Sequence, residues 1–265
     1  MKSKSNGFSS NAFLMPNREP SDLVLTVAGN IIKHLGVQMY SGRPVPAIAE
    51  LISNAWDADA ESVTVKIPLD EAWDTNNDKQ VIEVSDNGNG MSWDMVKAAY
   101  LNVGRDRRKA DNTDKSIGGR RLQGRKGVGK LAGFGIADTL EIQTVHIEND
   151  LHLGKKALIW FKLDLSDLTK KSEGPAPVAV IYAGPIDSAP AGGRKDKGTT
   201  VTLRHLHERK ARNSSDFLIS MARRFLLADS DFNVSILIWP LFDLIFHLSI
   251  VMMRRTGHQP HGNTF

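Results

Sequence analysis

Six short stretches of this chain read as strands: Ser62–Ile67, Val81–Val84, Thr139–His146, Ala157–Leu165, Val178–Ala183 and Thr199–His205. Most of them follow one another with no helix between. Helical stretches are fewer. One starts at Pro44 and runs to about Ala60, one covers Ser92 to about Leu101, a short one lies near Leu131–Ile136 and one spans Ser215–Leu227. Strands that succeed each other directly pair most simply with their neighbours. The order therefore predicts an α/β (α+β) two-layer sandwich, with a mixed, mainly antiparallel sheet and its helices on one face.

With 265 residues, 41% of them hydrophobic and 24% charged, the chain can build a substantial core and is not disordered, collagenous or coiled coil as a whole. It has no cysteine, which removes disulfides, iron–sulfur clusters and thiolate zinc sites and suits a reducing, cytoplasmic setting. Residues 1–20 are rich in Ser and Asn, carry Pro16 and Pro20 and lack a long apolar run, the pattern of a flexible arm rather than a signal peptide. The expected domain follows over 21–235. The remaining 236–265 form an atypical tail, almost continuously apolar from Ile236 to Met253 but interrupted by Pro240, Asp243 and His247. That run falls short of the roughly 20 clean apolar residues that span a bilayer, so no membrane is expected. A buried strand plus helix, or a truncated or misread end, fits the tail better.

The formal charge of +4 is unevenly placed. Between Gly104 and Lys130 ten basic residues face three acidic ones, a local +7 that leaves −3 for the rest. A mobile phosphate-binding loop looks like this, as does an ordinary solvated one.

Four segments have the residue types that chemistry needs. On the first helix, AELISNAWDADA, Glu50, Asn54 and Asp57 are spaced four and three apart and share one face, while Leu51, Ile52 and Ala55 turn to the core. Two acids and an amide oxygen then converge, although an exposed amphipathic face would read the same way. The turn Asp86-Asn87-Gly88-Asn89-Gly90-Met91 follows a strand directly. Its alternate glycines let backbone approach a planar ligand, and a buried Asp can accept from an exocyclic amine. In Gly124-Arg125-Lys126-Gly127-Val128-Gly129-Lys130, a Gly-rich turn opening a helix near Val128 points amide N–H groups at an anion. The segment also approaches the P-loop pattern, but Leu131 stands where a Mg²⁺-binding hydroxyl belongs and no strand leads in. Lys197-Gly198-Thr199-Thr200-Val201-Thr202-Leu203 by itself is simply a strand.

In this order and spacing the four segments, between Pro44 and Leu206, resemble the motifs of the ATPase superfamily that groups DNA gyrase B, the Hsp90 chaperone, histidine kinases and the MutL proteins (GHKL). AIAELISNAWDADA, LNVGRDRR and GRKGVGK are most similar to bacterial MORC-like and Hsp90-like members. The resemblance implies a Bergerat-type ATP-binding fold and an ATPase, with ATP and Mg²⁺ as ligands. Glu50 would be the general base that activates water, and Asn54 would ligate Mg²⁺. Asp86 would bind the adenine amino group, backed through water by Thr199. Gly88, Gly90 and Met91 would line the base, and Gly124, Gly127, Val128, Gly129 and Lys130 would wrap the phosphates as a lid closes. Asp57 would orient the helix. Glu at position 50 favours hydrolysis over the phosphotransfer of histidine kinases, which usually carry Asn there. Slow turnover to ADP and phosphate would drive a conformational or homodimerisation switch. A nucleotide-gated binding module with negligible turnover is the alternative, and a protein partner or DNA would be its target.

Overall fold

The computed structural model describes residues 23–25, 37–103, 113–123, 129–149, 155–170, 176–225, 232–239 and 245–246. Helix α1, Pro44–Asp57, begins on a proline whose fixed φ suits the first turn. Its apolar residues Val45, Ile48, Ile52, Ala55 and Trp56 recur three to four apart and are buried, as the periodicity predicts. The chain leaves α1 through Ala58 and then Asp59, which adopts the left-handed φ of 59°.

Among the described residues the strands are, in chain order, β1 Val24–Leu25, β2 Ser62–Pro68, β3 Ile82–Asp86, β4 Ala137–Val145, β5 Ala157–Asp164, β6 Ala176–Pro177, β7 Ala179–Pro185, β8 Gly198–Leu206, β9 Asn233–Trp239 and β10 Ile245–Phe246. Eight of these form one sheet in the order β10-β9-β2-β3-β8-β4-β5-β7, while β1 pairs with β6. All neighbours in the large sheet are antiparallel except β2 and β9, which run parallel. The mixed, mainly antiparallel sheet is thus as expected.

Strand alternation sorts the two faces. Val65, Val84, Val201, Ile142 and Phe161 lie in register across five strands, and all are buried on the inner face. Against that face pack α1, the short α2 (Trp93–Met95), the 3₁₀ turn Gly129–Gly135, α3 (Leu165–Lys170) and α4 (Ser214–Phe225). Their buried residues join the same core cluster. The outer face is polar. It carries the Lys66–Glu83 ion pair at 2.8 Å and a buried Glu141 that accepts from Trp160 Nε1 at 2.7 Å and Arg204 Nε at 2.6 Å.

Two features depart from expectation. The helix expected over Ser92–Leu101 is α-helical only for α2, where the Ser92 hydroxyl accepts from Met95 N, and continues as a π turn over Val96–Tyr100. Further on, β9 crosses the expected boundary at 235–236. Val234, Ile236 and Ile238 are buried against β2, so the apolar run from Ile236 starts inside the sheet as a core strand. Parallel pairing with β2 explains its composition, since such a strand needs apolar residues to fill the space beneath it. The expected arm over 1–20 lies outside the described residues, as does the tail beyond β9 apart from β10.

Candidate nucleotide site

At the C-terminal end of β3, Asp86 sits on the inner face opposite Val63 and beneath the end of α1. Its Oδ1 accepts from Gly88 N at 2.8 Å and Thr199 N at 3.2 Å. Both recorded donors fall on one oxygen, so among the described residues Oδ2 is left without a donor. Burial raises the Asp86 pKa above the ordinary carboxylate value, while the Gly88 and Thr199 N–H groups and the charge of Arg194 oppose that rise. Thr199 therefore backs Asp86 directly through its backbone, and its hydroxyl meets Thr144 Oγ1 at 3.0 Å. The fully buried Thr144 also accepts from Met91 N at 2.9 Å, which ties the end of the glycine turn to β4.

The turn comes close to its surroundings, and its glycines make that possible. A Cβ on Gly88 would stand 2.7 Å from the Ala58 carbonyl oxygen and 3.1 Å from Asp86 Oδ1. Gly90 has φ 61°, and a Cβ there would lie 2.0 Å from the Val145 carbonyl oxygen, so no other residue fits. Asn89 N donates to Ala58 O at 2.8 Å, which fastens the turn under the end of α1.

The other end of the site lies along α1. Glu50 is partly exposed, and its Oε2 would be 2.6 Å from a Cβ on Gly129, so the 3₁₀ turn begins directly against the carboxylate. Tyr40 faces Glu50 as well; burial first and the Glu50 carboxylate second push its phenol up to about 12. Asn54 is exposed one turn further on, and its side chain makes no hydrogen bond among the described residues. A free amide oxygen on the face that carries Glu50 suits a hard divalent cation that keeps most of its water. Ala58, on which the Asp86 turn rests, is eight residues from Glu50, about 12 Å along the helix axis. That spacing suits an extended nucleoside triphosphate.

Two expected site residues bond to neighbouring chain, Asp57 in keeping with a role in orienting the helix or its neighbours. Asp57 is buried and accepts from Gln123 N at 2.7 Å, so it holds chain beside the site. Lys130 Nζ donates to Ala99 O at 2.7 Å and Asn102 O at 2.9 Å, carbonyls around the end of the π turn. Gly124, Gly127 and Val128 lie outside the described residues.

Part of the basic stretch is docked rather than loose. Residues 113–123 form a tight hairpin in which Ser116 N donates to Arg120 O and Leu122 N to Asp114 O, each at 2.8 Å. Asp59 accepts from the Ser116 hydroxyl, from Gly118 N at 2.8 Å and from Asn89 Nδ2 at 3.0 Å, joining this hairpin to the glycine turn. Arg120 stacks on Trp56 at 4.7 Å, and Trp56 Nε1 donates to Arg121 O at 3.0 Å. Asp59 is a site neighbour outside the expected set. A signal was present in the alternation of DADA, which sends Asp59 away from the helix face that carries Asp57.

Comparison with known proteins agrees with this geometry. Residues 42–172 match the family described as histidine kinase-, DNA gyrase B-, and HSP90-like ATPase. A candidate type II restriction enzyme, HgiDII, of Herpetosiphon aurantiacus is 27% identical over 224 residues. The match covers 81% of this chain and 31% of that relative, so the chain spans about a third of the relative's length.

Proposed function

We propose that the chain, whose residues 42–172 match the family described as histidine kinase-, DNA gyrase B-, and HSP90-like ATPase, binds Mg·ATP between α1 and the inner face of the sheet and hydrolyses it slowly to ADP and phosphate. The carboxylate of Asp86 supports this reading most strongly: two backbone N–H groups fix one oxygen and the other is presented to a ligand. An adenine amino group is the complement of such an acceptor. Gly88, Gly90 and Met91 line the base, with Thr199 and Thr144 behind Asp86.

In the proposed mechanism Glu50 accepts a proton from the attacking water, a role for which its partial exposure and its contact with Gly129 suit it. Asn54 would hold Mg²⁺, and the ion would neutralise charge on the phosphates. Gly129 and Lys130, together with Gly124, Gly127 and Val128, wrap the triphosphate. For this Lys130 trades the carbonyls of Ala99 and Asn102 for phosphate oxygens. Closure of this basic lid drives a conformational switch or homodimerisation, with the docked 113–123 hairpin as its fixed part. Within the family the motifs resemble MORC-like and Hsp90-like members, and a cytoplasmic setting fits the absence of cysteine. Among the described residues no helix is long and apolar enough to cross a membrane.

A second reading, a nucleotide-gated module with negligible turnover that works on DNA or with a protein partner, is favoured by the similarity to a candidate restriction enzyme. Phosphate release from ATP, measured with Mg²⁺ and again after chelation, separates the two. Turnover that stops on chelation is expected. Binding without release under both conditions would support the second reading, and failure to bind ATP would sink both.

A further inference from the structure

Arg194 lies on the loop that leads into β8, on the outer face of the sheet and behind the Asp86 carboxylate. A guanidinium has five N–H donors, and here five hydrogen bonds occupy them. Nε donates to Asp196 O at 2.8 Å, Nη1 to the hydroxyls of Ser85 at 2.9 Å and Thr200 at 2.6 Å, and Nη2 to Lys197 O at 2.7 Å and to the backbone carbonyl of Asp86. Arg194 N in turn donates to Gln143 Oε1 at 2.7 Å. One side chain thus fastens the end of β3 and the start of β8, the strands that set Asp86 and Thr199 against each other.

The surroundings are shaped around this arrangement. Gly198, with φ 113°, passes so close that a Cβ would stand 2.1 Å from the Asp86 carbonyl oxygen and 2.6 Å from Arg194 Nη2. Ser85 and Thr200 also bond each other at 3.0 Å, so their hydroxyls are held in place for the guanidinium. All five donors go to carbonyls and hydroxyls, and none to a carboxylate. The positive charge therefore acts through space on nearby acids, which are Asp86, Asp196 and Glu83.

We propose that Arg194 is the positioning residue of the adenine site: its guanidinium ties the Asp86 backbone to the start of β8, so that the Asp86 carboxylate stands where it can accept from the base. This rests on the assignment of Asp86 as the adenine acceptor. Burial works against the charged carboxylate, and Arg194 counters it. The Gly88 and Thr199 N–H groups oppose burial first and Arg194 after them, so removing the guanidinium loosens the Asp86 backbone and moves its protonation to higher pH, which puts an O–H donor on a carboxyl that had been a charged acceptor.

The test is ATP affinity as a function of pH, without turnover in excess chelator, for the wild type, Arg194→Met, Arg194→Lys and Asp86→Asn. In the wild type, affinity declines as pH falls through the raised Asp86 value. In Arg194→Met we expect affinity at neutral pH to fall about tenfold or more and the acid decline to begin at higher pH. Arg194→Lys keeps the charge without the fork, so its acid decline should return toward the wild-type position while affinity stays reduced. Thr200→Val removes one anchor of the guanidinium and leaves its charge; it serves if Arg194→Met does not fold, and should lower ATP affinity by a smaller factor with the acid decline near the wild-type position. His146, whose Nδ1 meets the Asn89 carbonyl at 2.9 Å, is the same in every variant compared. ATP affinity within threefold of the wild type in Arg194→Met, or in Thr200→Val if that is the one that folds, would overturn the proposal. If Asp86→Asn binds ATP as the wild type does and keeps the same acid decline, the assignment of Asp86 fails instead.

Discussion

Glu50→Gln should reduce ATP turnover about a hundredfold or more while leaving ATP affinity within a few-fold of the wild type. A positioned general base contributes roughly 10²–10⁴ to rate, and glutamine keeps the shape of the side chain while losing its ability to take a proton. Shape matters here because Glu50 Oε2 lies against the backbone of Gly129 and faces Tyr40, so truncation to alanine would also open a gap. Single-turnover phosphate release beside equilibrium binding checks the split between chemistry and affinity. Turnover within threefold of the wild type would show that Glu50 is not the base.

Asp86→Ala should weaken ATP binding about a hundredfold or more without abolishing the fold. The substitution removes the acceptor for the base amino group and also strands the N–H groups of Gly88 and Thr199, which both converge on Oδ1. Hydrogen bonds to charged groups contribute roughly 1.5–3 kcal/mol each, so losing the ligand bond together with the order of the turn reaches this size. Calorimetric titration measures it, with a thermal melt to confirm folding. Binding within threefold of the wild type would remove Asp86 from the site.

The sequence carried some layers of this architecture clearly and others poorly. Helix α1 and strand β2 were plain because each carries its own periodicity, with Ile48, Leu51, Ile52 and Ala55 on one helix face and Val63, Val65 and Ile67 alternating. Asp86, Thr199 and the glycine turn are marked by their residue types and order, and they meet in space, Thr199 through its backbone N–H and not through water. The π turn was not legible, since Val96–Tyr100 has the composition of an ordinary helix and its carbonyls are met by Lys130 from about 30 positions away. A buried strand is one of the readings that the run from Ile236 allows, but the start of β9 at Asn233 and its pairing with β2 are hidden, because the inward alternation of Val234, Ile236 and Ile238 is obscured by apolar neighbours. Arg194 stayed hidden for a related reason. It reaches Asp86 across 108 positions through a backbone carbonyl, and no local pattern announces such a contact. The basic stretch was read from composition as one mobile loop, whereas Asp57, Asp59 and Trp56 dock its middle onto the end of α1.

The most direct measurement of the whole account is a calorimetric titration of the wild-type protein with ATP and, separately, with GTP, both in the presence of Mg²⁺. Adenine offers an amino group to the free oxygen of Asp86, and guanine offers a carbonyl oxygen at the same place, which a carboxylate repels. The account predicts saturable binding of ATP and binding of GTP at least about a hundredfold weaker. Equal affinity for the two nucleotides, or binding of neither, would contradict it.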